Sequence, residues 1–290
     1  MIRHIFCIYL MKNNLFLRCL SGAIGLMCAG LCQAAESDAP PWSIAFYYGK
    51  APQTALLSRF DMAVIEPDNG FDPRGDAGST RWLAYVSVGE VMHSRPYFRD
   101  IPKSWIVGRN QEWQSEVIDS SAVGWAEFIV SRIIAPLWRA GYQGFFLDTL
   151  DSYQLVSRND EDRQRYQQGL VAIIQSIHRN YPQARLILNR GFELLPKVHE
   201  QVYAVAFESL FKGWSEAKQS YVDVPADGRE WLLAQVKMVK SYGVPVIAID
   251  YCPPADVSCA KLTILQIRKL GLIPYVTDGG LRVINPASLP

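Results

Sequence analysis

Short continuous apolar runs recur along this chain, and several end on an acid. Residues 144–147, Gly-Phe-Phe-Leu, stop at Asp148, and Asp151 follows three positions later. Ile65 precedes Glu66, Val88-Gly89 precedes Glu90, Phe207 precedes Glu208, Ile249 precedes Asp250, and Val276-Thr277 precedes Asp278. A strand covered on both faces reads as an unbroken apolar run rather than an alternating one. On this basis strands are expected at 44–48, 62–65, 83–88, 145–147, 186–188, 204–207, 246–249 and 273–276.

Helical spacing fills several of the intervals. Residues 122–139 carry Val123, Phe128, Ile129, Ile133, Ile134, Leu137 and Trp138, and Gly141 ends the pattern. Residues 160–180 repeat it with Tyr166, Leu170, Val171, Ile173, Ile174 and Ile177, behind a capping Asn159 or Asp160. Two more helices are expected over 230–242 and 255–270. Gly243-Val244-Pro245 and Gly271 mark the return to strand. Strands alternating with helices imply a parallel sheet. Eight units point to an α/β fold, a closed (β/α)8 TIM barrel in a single domain, with the doubly wound open sheet as the alternative. No G-x-G-x-x-G or Walker sequence follows the first strand. One connection is long: residues 91–121 hold Tyr97, Phe98, Trp105 and Trp113, and are expected to form a lid or platform over the barrel mouth, the alternative being an extra packing layer on its side.

The first 34 residues read differently. Arg3, Lys12 and Arg18 precede an apolar stretch from Leu20 to Leu31 and then Cys32-Gln33-Ala34-Ala35, the order of a secretory signal peptide with cleavage after Ala34. Met11 is an alternative start, and an uncleaved anchor is the alternative reading. Removing 34 of 290 residues leaves 256, the size of one barrel, as the domain 35–290. Three basic residues go with the signal, so 29 basic residues become 26 against 28 acids, a net charge of −2. Nothing in that balance suggests nucleic acid or, after signal cleavage, a membrane surface. Four of the six cysteines lie in the signal. Cys252 and Cys259 remain, and the oxidising compartment of an exported chain favours a disulfide between them over two buried thiols. The localisation expected is periplasmic or secreted.

Acids at the C-terminal ends of barrel strands converge on one mouth. Asp148 and Glu208 stand two strands apart, as the paired carboxylates of a glycosidase require: one protonates the leaving oxygen while the other attacks or activates water. Tyr47, Tyr48, Asn189, Arg190, Tyr251 and Tyr275 complete a polar, aromatic mouth suited to sugar rings, and the surplus of acids favours a cationic glycan. Several of these acids have an alternative role as caps or as partners of Lys and Arg. His93, His178 and His199 show no metal-ligand spacing, and no Gly-x-Ser-x-Gly occurs. No metal or cofactor is expected.

Residues 144–152 (Gly-Phe-Phe-Leu-Asp-Thr-Leu-Asp-Ser), 83–90 (Leu-Ala-Tyr-Val-Ser-Val-Gly-Glu) and 207–209 (Phe-Glu-Ser) resemble the endo-α-1,4-polygalactosaminidases of glycoside hydrolase family 114 and the related PelA-like hydrolase domains, which act on the Pel biofilm polysaccharide. The likeness runs from about Trp42 to Leu281. It implies a (β/α)8 barrel, an exported enzyme without a cofactor, and endo-cleavage of an α-1,4-galactosamine exopolysaccharide. By motif it places the catalytic pair on Asp148 and Glu208. We expect Asp148 to be the nucleophile and Glu208 the general acid/base in a retaining mechanism. Glu90 and Asp250 are expected to meet substrate amines or hydroxyls, with Tyr47, Glu66, Asn189, Arg190, Tyr251 and Asp278 as further binding residues and Asp151 in support. The competing reading is a glycan-binding barrel without turnover, acting in polysaccharide synthesis or export.

Overall fold

The computed structural model describes residues 42–75 and 78–289; the expected signal peptide lies outside them. Along the chain the strands are β1 (Ile44–Tyr47), β2 (Met62–Ile65), β3 (Arg81–Ser87), β4 (Glu90–Met92), β5 (Ile106–Asn110), β6 (Ser115–Ile118) and β7 (Gly144–Asp148). They continue as β8 (Arg185–Asn189), β9 (Ala204–Glu208), β10 (Lys212–Ser215), β11 (Ser220–Asp223), β12 (Val246–Tyr251) and β13 (Ile273–Thr277). Eight of them form one parallel sheet in the order β1-β2-β3-β7-β8-β9-β12-β13. Its two outer strands face each other across the remaining gap. Tyr275 Oη donates to the carbonyl of Phe46 at 2.9 Å, and Tyr48 N donates to that of Leu281 at 2.7 Å. The sheet is thus a nearly closed TIM barrel. All eight expected strands are present, with ends shifted by two residues or fewer.

Rings from β1, β3, β7 and β13 fill the barrel interior. Phe46 meets Phe146 edge-on at 5.0 Å between centroids and Tyr275 at 5.7 Å, and Tyr85 lies 6.4 Å from Phe146. Each barrel strand except β3 and β8 begins on a buried residue, because helices cover the outer face.

The helices follow their sequence signals. Asp160–Asn180 starts where Asn159 accepts from the Asp162 amide at 2.8 Å. Its Gly169 packs so closely on residues 120–121 that a Cβ there would sit 2.1 Å from the Ser120 carbonyl. Ala226–Ser241 and Val257–Lys269 cover β12 and β13. The helix expected over 122–139 has a break in its geometry: a wide π-helical stretch, Ile129–Ile134, joins Trp125–Phe128 to Ala135–Ala140. Pro136 explains it, since its ring would collide with the carbonyl four residues back in a regular helix. Cys252 and Cys259 are joined by a disulfide that ties the end of β12 to the following helix, with Cα atoms 6.0 Å apart. No helix among the described residues is long and apolar enough to cross a membrane.

The long connection after β3 is an antiparallel three-stranded sheet of order β4-β6-β5. It serves both expected roles. Tyr97 and Trp105 pack on Phe128 along the barrel side, at 6.1 Å each, while the β5–β6 turn carries Trp113 to the mouth.

Candidate active site

Strands β7, β8 and β9 are consecutive in the barrel, and each ends on a polar side chain: Asp148, Asn189 and Glu208. Register aims them together. Ser87 pairs with Asp148, Ala206 with Asn189, and Ile249 with Glu208. Residues two apart on a strand share a face, so Tyr85 of β3 stands beside Asp148 and Tyr251 of β12 beside Glu208. Tyr85 Oη donates to Asp148 Oδ2 at 2.8 Å, and Tyr251 Oη donates to Glu208 Oε2. Between them, one nitrogen, Asn189 Nδ2, donates to Asp148 Oδ1 at 2.8 Å and to Glu208 Oε1 at 3.0 Å. Those two oxygens are therefore less than about 6 Å apart, nearer the roughly 5–5.5 Å of double displacement than the roughly 6.5–9.5 Å that admits a water between the carboxyls.

The backbone is bent sharply just past each of these three side chains. Thr149, Arg190 and Ser209 all adopt left-handed conformations, with φ of 63°, 58° and 65°. For residues other than glycine this costs about 1–3 kcal/mol each and persists only where neighbours enforce it. Here they do. Thr149 Oγ1 accepts from the Gly89 amide at 2.8 Å, lies 2.8 Å from Ser87 Oγ and donates to the Asp148 carbonyl at 2.6 Å. Gly89 passes so near that a Cβ would stand 2.2 Å from the Thr149 carbonyl. Arg190 N donates to Ala206 O at 2.7 Å, and Ser209 N to Ile249 O at 2.8 Å.

Burial, and next the charge of Glu208, push the Asp148 carboxyl up to about 6 against the pull of its hydrogen bonds to Asn189, Thr149 and Tyr85. Burial also raises the phenols of Tyr48, Tyr85 and Tyr251 well above their ordinary value, and the carboxylates add to it, so all three remain protonated donors. The cavity over the pair has a volume of about 680 Å³.

Of the other expected binding residues, Glu66, Glu90, Asp151, Asn189, Arg190 and Tyr251 line this cavity. Glu66 is engaged by Arg95, which donates to both of its oxygens at 2.5 and 2.9 Å and also reaches Asp68 at 2.8 Å. That guanidinium lies 5.6 Å from the Tyr85 ring centre. Asp151 and Arg190 face each other at 3.6 Å on the rim. Glu90 is only 4% exposed. Its carboxylate accepts from Asn110 at 3.0 Å, from Ser152 at 2.5 Å and from Ser115, so it fastens the inserted sheet to the loop after Asp148 and has little left to offer a ligand.

Tyr47, Asp250 and Asp278 are not among the residues lining the cavity, contrary to expectation. Tyr47 Oη donates to Ala51 O at 2.9 Å, and the adjacent Tyr48 lines the cavity in its place. Asp250 is 0% exposed and accepts the amides of Leu210, Phe211 and Lys212 at 2.7, 2.8 and 2.8 Å. Burial raises its carboxyl to about 6 in spite of those amides. Asp278 closes its own turn, accepting the amides of Arg282 and Val283 at 2.7 Å each. Sequence reasoning left out Tyr85, Arg95, Thr149 and Trp214, which all line the cavity. Tyr85 had a signal, since it occupies the same face of β3 as Ser87 within a motif already singled out. Among the described residues no cluster of three or more His, Cys, Asp or Glu is placed to hold a metal ion.

The family model of glycoside-hydrolase family GH114 matches residues 30–287. The glycoside hydrolase domain of PelA from Pseudomonas aeruginosa is 35% identical, with a TM-score of 0.78 over 84% of this chain and 98% of that one. Aspergillus fumigatus Ega3, solved in complex with galactosamine, is 13% identical, with a TM-score of 0.58 over 83% of this chain and 91% of that one, and shares the fold. No match is found among curated proteins.

Proposed function

The chain belongs to glycoside-hydrolase family GH114 and is a glycoside hydrolase, and from that premise we propose that it is an exported enzyme that cuts α-1,4-linked galactosamine or N-acetylgalactosamine polymers internally, with retention of configuration. The observation that carries the mechanism is the single Asn189 nitrogen bonded to both carboxylates, which holds Asp148 and Glu208 at the short separation of a double displacement. The likeness to galactosamine-bound Ega3 is in keeping with the amino sugar, and the basic-then-apolar order of the first 34 residues supports export.

In the first step Asp148 Oδ attacks the anomeric carbon. A carbon–carboxylate bond forms, the glycosidic C–O bond breaks, and Glu208 gives its proton to the leaving oxygen. In the second step Glu208 takes a proton from water, whose oxygen displaces Asp148 from the sugar. Asn189, Tyr85 and Tyr251 hold the two carboxylates in place as neutral donors. Positive charge developing on the sugar ring meets a cavity lining in which acids outnumber arginines.

The test is incubation with partially acetylated α-1,4-galactosamine polymer, with mass spectrometry of the products and NMR of the first-formed anomer. Shortened oligomers with an α-configured new reducing end are expected. An intact polymer would overturn the substrate assignment, and a β-configured first product would overturn retention.

A further inference from the structure

We propose that Trp113, together with Glu112, forms a distal amino-sugar subsite on the inserted sheet, which makes the enzyme favour long chains. This rests on the substrate reading above and adds a binding site to it. Trp113 stands apart from the other tryptophans. Seven of the eight pack against another aromatic ring: Trp42 on Tyr203, Trp82 on Phe71, Trp105 on Trp125, Trp138 on Phe145, Trp214 on Tyr221 and Trp231 on Phe192. Trp113 has no ring partner among the described residues, is 54% exposed, and lines the same cavity as the catalytic pair.

An unpacked indole is expected to be mobile, yet the turn bearing this one is braced. Asn110 Oδ1 accepts the Glu112 amide at 3.1 Å, and Arg109 donates to Gln114 at 2.7 Å. Gln114 takes the left-handed conformation, φ 52°, that closes the turn. The brace continues inward: Asn110 Nδ2 donates to Glu90, and Glu90 accepts Ser152 of the loop after Asp148. The platform is thereby fixed relative to the reacting bond rather than hung from a loose loop, and rigid aromatics lose little entropy when a ligand lands on them. Leu155 and Met92, 59% and 39% exposed, add apolar surface to the same cavity.

The chemistry selects the occupant. The C–H face of a pyranose stacks on an indole, and a protonated sugar amine over the ring gains a cation–π attraction. Glu112, exposed and lining the cavity at the next position, supplies the counter-charge. A galactosamine unit several residues along the chain from the cleaved bond satisfies all three. Binding energy collected there serves the chemistry at Asp148 only when one chain spans both places.

The experiment compares wild type with Trp113→Ala and Trp113→Phe on de-N-acetylated α-1,4-galactosamine oligomers of defined length and on the polymer. Trp113→Ala is expected to lose roughly tenfold or more in kcat/KM on the polymer, with a loss that shrinks steadily as the substrate shortens. Trp113→Phe, which restores a ring face, is expected to recover much of it. A loss equal at every length, or none, overturns the subsite while leaving the hydrolase reading intact. If wild type does not cleave the polymer and Asp148→Asn does not bind it by calorimetry, both fall together.

Discussion

Strands β9 and β12 pair in parallel, and each carries an acid near its end: Glu208 on one, Asp250 on the other. By the apolar-run-then-acid pattern they are indistinguishable. Their surroundings are not. Glu208 accepts from Asn189 and from a tyrosine hydroxyl at the cavity floor, whereas Asp250 is sealed beneath it and spends both oxygens on three backbone amides. Register sets the difference. Ile249 is the partner of Glu208, so Asp250, one residue on, points the other way. The two acids are nonetheless connected, because the amides that Asp250 holds belong to residues 210–212, directly after Glu208 and Ser209. A carboxylate met by movable side-chain donors is free to change partner during a reaction, and one met by fixed amides is not.

The widest break in this comparison comes from making each acid an amide, starting with Asp148 at the cavity. Asp148→Asn is expected to lose roughly a thousandfold or more in kcat, and Glu208→Gln comparably. The same Asp148 change is expected to stabilise the fold at neutral pH. Asp148 in the folded chain titrates near 6, against roughly 3.9 in an unfolded chain. Below about pH 4 both forms are protonated and the group contributes nothing. Between about pH 4 and 6 the unfolded chain ionises first, so the folded state loses up to about 3 kcal/mol as pH rises, and the deficit persists above that window. Urea midpoints for wild type and Asp148→Asn should therefore coincide near pH 3.5 and separate by pH 7, with the variant the more stable. Coinciding midpoints at pH 7 would show that the carboxylate carries no strain. Activity of the wild type should fall as pH drops through about 6, because the nucleophile is then protonated.

Legibility in the sequence divides along the same line. The eight barrel strands are readable because burial on both faces leaves nothing but apolar residues, and Asp160–Asn180 is readable because its period is long and Asn159 caps it. The strands of the inserted sheet are short and mix polar with apolar residues, and Ile106–Asn110 is half-exposed, so no continuous apolar run marks them. At the site, Asp148 and Glu208 stand out through their motifs. Without those motifs the apolar-run-then-acid pattern does not separate Asp250 or Asp278 from them, because a carboxylate aimed at a loop amide and one aimed at a cavity both follow a buried strand. The left-handed turns at Thr149, Arg190 and Ser209 are hidden for a similar reason: tertiary hydrogen bonds, not glycines, enforce them.

Asp250→Asn tests the scaffold side of the comparison and should act in the opposite sense to Asp148→Asn. Tyr85 Oη can rotate to suit an amide at position 148, but the amides of Leu210, Phe211 and Lys212 cannot turn round. One carboxamide oxygen cannot serve all three, and its NH2 would face a buried N–H. A destabilisation of roughly 2–4 kcal/mol is expected, read from the urea midpoint at pH 7. At temperatures where the variant is fully folded, kcat should also fall while KM changes less, since the displaced segment directly follows Glu208. An Asp250→Asn protein as stable as wild type would mean that the three amides find other partners.

The smallest effect is expected at the joint between the two regions. Ser209 connects the acid facing the cavity to the segment that the sealed acid holds, and does so at φ 65°. Ser209→Gly removes a left-handed strain of roughly 1–2 kcal/mol and adds back roughly 0.5–1 kcal/mol of unfolded-state entropy. Stability read from the urea midpoint should therefore rise by no more than about 1.5 kcal/mol. Activity is the more telling readout. With the serine, the conformation is held by the hydrogen bond from the Ser209 amide to the Ile249 carbonyl and by the clamp on residues 210–212, and the glycine gives that stretch more states to occupy. A fall of a few-fold in kcat at unchanged stability would show that the bend helps to aim Glu208. An unchanged kcat would show that the amides bound to Asp250 are sufficient to aim it by themselves.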